Sequence, residues 1–533
     1  MATTAASPAG KAGRPSSAAI VDEPHIRCDN YPMLIAGMMI TSVMQVLDTT
    51  IANVALPHMQ SALGTTSDTI TWVLTSYIVA NAISFPIAGW AASKVGPRRL
   101  YLGSVFGFVV ASMLCGMAQN LEEMVVFRAL QGIAGAFFLP LSQSIMLDTT
   151  RPSKHGQIIA LWGSAVVVGP IFGPILGGWL TENWNWRWVF YVNAPIGAVA
   201  LTILFAQLPK IETNVRKFDM LGFALIATAI ASFQLLLDRG NQIDWFNATE
   251  SWIYVFIAVS ALWAVVVHIV MTDHPIFDRE LFFDVNFLVA LVFMVISGII
   301  LYSTIALLPP MLQNLFGYDV IDTGFLLAPR GVGFLVSTQM IGQLLRWRVD
   351  HRVMITLGFI CLTFGAEMMA SWDISISWWD IFWPGILQGI GMGLVFIPLN
   401  TSAFATLAPH LRTEASSLLN LFRTIGSSSG ISIMTALFAR NVQVSHSDLT
   451  SQMQTNATGV IDVTTVDRLQ VLGDGVLKMI DAEVNRQAAM IAYLDDFQLM
   501  KWMTIGALPL ILLVRRQRAR HAPEPGEAEI PPH

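Results

Sequence analysis

The sequence predicts an all-α integral membrane protein of about 14 transmembrane helices, two six-helix bundles with two extra helices between them. Three observations predict it. The chain of 533 residues is 54% hydrophobic and only 12% charged, with a mean hydropathy of +0.59, where a soluble domain carries about 25% charge. Apolar runs of about 20 residues, enough to cross a ~30 Å hydrocarbon core, recur along its length. The chain also repeats itself across a shift of eight runs.

Residues 1–30 are rich in Ala, Ser, Pro and Gly and lack an apolar core, so they read as a disordered tail rather than a cleavable signal. Apolar runs at 33–56, 70–91, 100–119, 122–147, 157–180 and 187–208 make the first bundle, 31–208. Runs at 218–237 and 251–271 make the insert, 209–275. Runs at 286–308, 323–345, 353–371, 380–402, 413–437 and 498–514 make the second bundle, 276–514, and residues 515–533 a second tail. The segment 438–497 is the only sizeable stretch outside the runs. Acids outnumber bases in it, and Val466 to Tyr493 has helical spacing. It is either a solvated helical cap or a docking surface for another protein.

Loops after even-numbered runs hold Lys94, Arg98, Arg99, Arg151, Lys154, Lys210, Arg216, Lys217, Arg279, Arg346, Arg348, Arg352 and Arg412, and the last tail adds Arg515, Arg516, Arg518 and Arg520. The other loops are nearly bare of them, 438–497 apart. Cationic loops stay in the cytoplasm, which puts both termini there.

The repeat pairs Leu130-Gln131-Gly132-Ile133 with Leu387-Gln388-Gly389-Ile390, and Pro57, Gln60 and Gly64 with Pro310, Gln313 and Gly317. Two related halves around a central site are a transporter architecture. The chemistry is one-sided: Asp48 falls opposite Leu301 and Arg128 opposite Gly385, so ion coupling is assigned to the first half.

Asp48 is the carboxylate of the first run. A charge at that depth costs a few kcal/mol or more and marks function. It lies roughly 22 Å along its helix, and Arg128 roughly 8 Å from the outer end of the fourth run, at 1.5 Å per residue. Both then sit about 8 Å below the outer face of a ~30 Å core. They either couple an ion to transport or form a static salt bridge. Asn53 on the same helix as Asp48, Gln131 beside Arg128, and Arg423 near mid-membrane are candidates for substrate contact. Arg423 meets either an anionic substrate group or a backbone carbonyl, while Arg330 and Glu367 lie nearer helix ends and can snorkel.

Gly163 precedes the dense run Gly169-Pro170-Ile171-Phe172-Gly173-Pro174-Ile175-Leu176-Gly177-Gly178. Glycines four apart let helices approach closely, which suits a gate. Gly89, Lys94, Gly96, Arg98 and Arg99 form a turn with cations at the inner surface, which either bind helix carboxyl ends or only anchor the loop. Cys28, Cys115 and Cys361 read as inert thiols. No phosphate-binding Gly-Lys loop and no metal-spaced His or Cys cluster is present, so no enzyme, no metal and no nucleic-acid partner is expected. The expected energy source is an ion gradient, without a cofactor.

On these residues the chain, over about 33–514, resembles the major facilitator superfamily, and within it the 14-span drug:proton antiporters of the EmrB/QacA type. Leu47-Asp48-Thr49-Thr50-Ile51-Ala52-Asn53-Val54-Ala55-Leu56-Pro57 is similar to that family's first-span motif. Arg128 with Gln131-Gly132 is similar to its fourth-span motif, and the Gly-Pro run to its antiporter motif. Leu237-Asp238-Arg239-Gly240 and Asp244-Trp245-Phe246 resemble the loop between its two extra helices. Ser93 departs from the pattern, which has Asp there. The resemblance implies the major facilitator fold and proton-driven export of hydrophobic drug-like molecules, with Asp48 as coupling carboxylate and Arg128 as its partner. It further implies a bacterial inner membrane, a periplasmic adaptor and an outer-membrane channel of the TolC type. A dedicated exporter of one metabolite, such as a fatty acid or siderophore, is the alternative.

Overall fold

The computed structural model describes residues 23–210, 217–240, 242–347, 349–405, 407–460 and 474–514. Most of the expected first tail, all of 515–533 with its four arginines, and Arg216 and Arg348 lie outside the described residues. The described chain is helical throughout, joined by short turns.

The first bundle comprises α1 (Tyr31–Leu63), α2 (Trp72–Val95), α3 (Pro97–Met117), α4 (Leu121–Asp148), α5 (His155–Asn183) and α6 (Trp188–Gln207). The insert is α7 (Met220–Gly240) and α8 (Thr249–Met271). The second bundle comprises α9 (Val285–Leu315), α10 (Val320–Arg346), α11 (His351–Ala370), α12 (Trp378–Ala405), α13 (Arg412–Val460) and α14 (Asp474–Ala507). Among the described residues, 11 helices are long and apolar enough to cross a membrane. The long helices α5, α10 and α13 pack among them.

Local chemistry sets the ends. Asn30 caps α1 through its side chain, and Gly64 closes it at φ 64°; a left-handed residue there favours glycine. Gly317, its counterpart in the second half, follows α9 at φ 72°. The repeat extends to packing. A Cβ on Gly132 would collide with the backbone of Tyr77 on α2, and one on Gly389 with the backbone of Arg330 on α10. Each half thus seats its fourth helix against its second through the same glycine.

The segment 438–497 is not a separate loop where it is described. Its first part continues α13 to Val460 and its last part belongs to α14. The Phe438 and Tyr493 rings lie tilted against each other at 4.3 Å, and His446 reaches Asp481 at 3.5 Å, so the two helices run antiparallel beyond the bundle. Some 20 residues of α13 extend past residue 437, ~30 Å of helix. Met490, Tyr493, Phe497 and Met500 pack into the second half beside Leu308 and Trp372.

Helix α7 packs against both α2 and α13, in a seam between the halves. Helix α8 packs mainly on α7, and Trp252, Phe256 and Trp263 point outward from it, a surface suited to hydrocarbon.

The halves close on each other at the end that carries the α2–α3 and α4–α5 loops. Arg412 pairs with Asp148 at 2.5 Å, Gln143 donates to Asn400 at 2.9 Å, and Thr413 bonds Ser144 at 2.9 Å. Ser417 donates to the Phe85 carbonyl. Arg412→Gln should loosen this seal. With Ser144→Cys as the sole thiol, labelling by an impermeant maleimide from that side should rise roughly fivefold, as for ~1 kcal/mol.

Candidate functional site

Asp48 sits in the middle of α1 with 1% exposure. Its oxygens are taken by three side chains from two other helices. Arg128 Nη1 of α4 lies 2.6 Å from Oδ2, Gln131 Nε2 of α4 donates to Oδ1 at 2.8 Å, and Asn193 Nδ2 of α6 donates to Oδ1 at 2.7 Å. A second ring of contacts holds these donors. Arg128 Nη1 also donates to Gln131 Oε1 at 2.7 Å and its Nε to the Val73 carbonyl at 3.2 Å. Asn193 also reaches Ser112 Oγ of α3 at 3.0 Å. The Arg128 guanidinium lies 4.4 Å from the Tyr77 ring. Both charged side chains are fully buried, so the charges are worth far more to each other than in water. Removing one partner strands the other.

A cavity of about 410 Å³ lies between the halves. Arg128 reaches its wall; Asp48 does not. Thus one arginine, itself fully buried, lies between the buried carboxylate and the central space. Asn53 lines the same cavity from α1. Arg423 lines it from α13, held by Asn420 at 3.0 Å and near Tyr302 OH at 3.5 Å, and these bonds are to side chains rather than to a backbone carbonyl. Gln131 does not reach the cavity. At three residues from Arg128 it shares that residue's helix face and turns to Asp48 instead.

The Gly-Pro run stays within the single helix α5 and packs on the turn of α1 that carries Asp48. A Cβ on Gly169 would lie 2.7 Å from Val46, one on Gly177 would lie 3.2 Å from the Ile51 carbonyl, and one on Gly173 would overlap Thr50. Thr50 Oγ1 donates to the Gly169 carbonyl at 3.1 Å. The other face of α5 meets the second half: Gly163 faces Phe334 of α10, and Ile175 packs over Gly324. Pro174 is half-buried and Gly178 buried; the side chain of Pro170 lies outside the described residues.

In the basic loop, Arg98 Nη2 donates to the Phe205 carbonyl at the end of α6, at 2.7 Å, the helix-end contact one of the two readings expects. Lys94 lies 4.7 Å over the Trp90 ring, Arg99 is exposed, and Gly96 makes the turn at φ 92°. Gly89 packs against the Glu414 side chain of α13. Of the two residues expected to snorkel, Arg330 is instead buried and donates to Gln388 at 2.7 Å, while Glu367 is exposed near the end of α11 and pairs with Lys501 at 2.7 Å. Asn193, Ser112 and Tyr77 escaped the sequence reading, because single uncharged polar groups in apolar runs carry little signal. The described residues hold no cluster of His, Cys, Asp or Glu able to bind a metal ion.

Comparison with known proteins agrees with this architecture. The sequence profile of the Major Facilitator Superfamily matches residues 38–431. The chain is 37% identical to the multidrug export protein EmrB of Haemophilus influenzae over 425 residues, 79% of this chain and 83% of that one. It is 34% identical to EmrB of Escherichia coli K12, over 89% of this chain and 93% of that one. It is 33% identical to the fatty acid resistance protein FarB of Neisseria gonorrhoeae, over 89% and 94%. The crystal structure of the human organic anion transporter MFSD10 shares the fold at a TM-score of 0.57 with 13% identity, covering 89% of this chain and 99% of that one. The chain belongs to the major facilitator superfamily of membrane transporters, and within it to the EmrB type.

Arg128→Ala should destabilise the protein by about 3–5 kcal/mol, since it leaves Asp48 buried and unpaired. Asp48→Asn removes the charge instead and should cost less, so in detergent its unfolding midpoint should exceed that of Arg128→Ala.

Proposed function

We propose that the chain is a proton-coupled exporter of hydrophobic drug-like molecules, moving them by alternating access of its two halves around the central cavity. The observation that carries this is the arginine shared between the buried carboxylate and the cavity wall. The names of its EmrB relatives support the multidrug reading. Protonation of Asp48 cancels the charge that Arg128 is paired with and alters what Gln131 and Asn193 donate to. Arg128 then gains freedom on the cavity side, so proton and substrate act on one residue. The α1 turn that carries Asp48 lies on the α5 glycine face, and the back of α5 lies on α10. A small shift of α1 therefore reaches the boundary between halves, where packed interfaces switch rather than bend. The proton gradient is the energy source, with no cofactor.

The helices α5, α10 and α13 complete 14 spans in this reading. An even number leaves both termini on the side of the basic loops, the cytoplasm, in a bacterial inner membrane. The α13–α14 extension then projects outward, suited to a periplasmic adaptor that leads to a TolC-type outer-membrane channel. Arg423 on the cavity wall favours one narrower reading, export of a fatty acid, which the name of FarB also supports. Protection of a pump-deficient strain against several unrelated drugs separates the broad reading from the narrow one.

In proteoliposomes with an imposed pH gradient, the wild type should drive drug efflux. Asp48→Asn should lose at least about 90% of it, roughly the tenfold change of one lost ionic contact, while still binding drug. Undiminished active efflux by that variant would overturn the coupling role. Deleting 450–478 removes the tip of the extension and spares the packed residues from Met490 onward. It should leave membrane insertion intact and reduce co-purification with the adaptor; unchanged co-purification removes the extension from that interface.

A further inference from the structure

The inserted helix α7 brings a carboxylate to the central cavity that neither half supplies. Its Gln234 bonds Ser428 of α13, which holds α7 in the seam, and its residues Leu237 and Asp238 reach the cavity wall. Asp238 Oδ1 accepts from Gln234 Nε2 at 3.3 Å. Its Oδ2 is buried and makes no hydrogen bond of good geometry among the described residues, with the Thr75 hydroxyl of α2 beside the carboxylate. The neighbouring Arg239 does not neutralise it: that guanidinium points to α8 and pairs with Glu250 at 3.0 Å.

The turn after α7 fixes this division. The Trp245 ring sits on Gly240, where a Cβ would lie 2.9 Å from it. Asp244 and Trp245 take left-handed backbones, at φ 56° and 49°. The chain therefore folds back sharply, α8 returns beside α7, and Arg239 finds its partner there while Asp238 faces inward.

Asp238 lies two residues from the C-terminal end of α7, within the helix rather than in a loop, and a buried carboxylate oxygen on the cavity wall without a cation invites one. Asp48 has its cation in Arg128; among the described residues Asp238 makes no ion pair, and Arg423 on the same cavity wall is held by Asn420 instead. Tyr302, Ile305 and Leu237 supply apolar surface in the same cavity, whose volume suits a drug-sized molecule. We propose that Asp238 is a recognition residue for lipophilic organic cations: the positive charge pairs with its carboxylate and the apolar body lies on the cavity wall. This makes α7 part of the binding site rather than a peripheral addition, and it rests on reading the cavity as the substrate site.

The test is equilibrium binding of radiolabelled tetraphenylphosphonium to the full-length protein in lipid nanodiscs, without any gradient. The wild type should bind it. Asp238→Asn should weaken binding about tenfold or more, the effect of ~1.4 kcal/mol, with an unchanged melting temperature. Asp238→Glu should restore most of the affinity. Absence of binding by the wild type, or unchanged affinity in Asp238→Asn, overturns the proposal. So does a loss that tracks a fall in melting temperature and is not rescued by Glu, since that marks a structural role. Failure of the proton-coupled reading shows separately, as absent gradient-driven efflux by the wild type.

Discussion

The architecture of the first half depends on accommodating one carboxylate inside an apolar helix bundle. A charge there is tolerated only with a partner and full hydrogen bonding. Asp48 meets both conditions by drawing Arg128 and Gln131 from α4 and Asn193 from α6, while Asn193 ties in α3 through Ser112. Two helices, α4 and α6, therefore converge on one side chain of α1, with α3 tied in behind them. Their mutual positions are set by donors that must reach two oxygens, which is more restrictive than apolar packing alone.

That convergence explains the neighbouring motif. The turn of α1 around Asp48 has polar obligations on one face, so its other face is free to approach a helix at close range. The glycines of α5 take that approach, with Thr50 bonding the Gly169 carbonyl. The ion pair and the glycine face thus bracket the same turn of α1. The second half lacks the carboxylate. It keeps a buried arginine, Arg330, and the repeat's glutamine, Gln388, hydrogen-bonded to each other, a neutral-acceptor echo of the charged cluster. Coupling chemistry and bundle geometry have separated between the halves: both share the seating glycines, and one carries the ion pair.

Much of this was legible in the chain. Asp48 and Arg128 stood out because ionised side chains are scarce in apolar runs, and depth counting placed them at one level. Gln131 and Arg423 were legible as polar groups but not as to direction: helical register sends Gln131 to Asp48, and the packing of α13 sends Arg423 to the cavity. Asn193 carried no signal, since one amide in an apolar run looks like any tolerated polar residue. The segment 438–497 read as lying outside the runs because its composition is polar. Its helices persist because they pair with each other through Phe438 and Tyr493, a long-range contact that hydropathy does not encode.

The sequence by itself determined the solvent, the span pattern, the repeat and the scarce charges, because the cost of polar groups in lipid acts on each residue locally. Only the tertiary structure decided which charges meet, that Arg128 faces both Asp48 and the cavity, and that α7 carries Asp238 into that cavity while Arg239 turns away. Those outcomes depend on helix rotation and on contacts between segments far apart in the chain, and a one-residue turn about a helix axis, roughly 100°, is enough to change them.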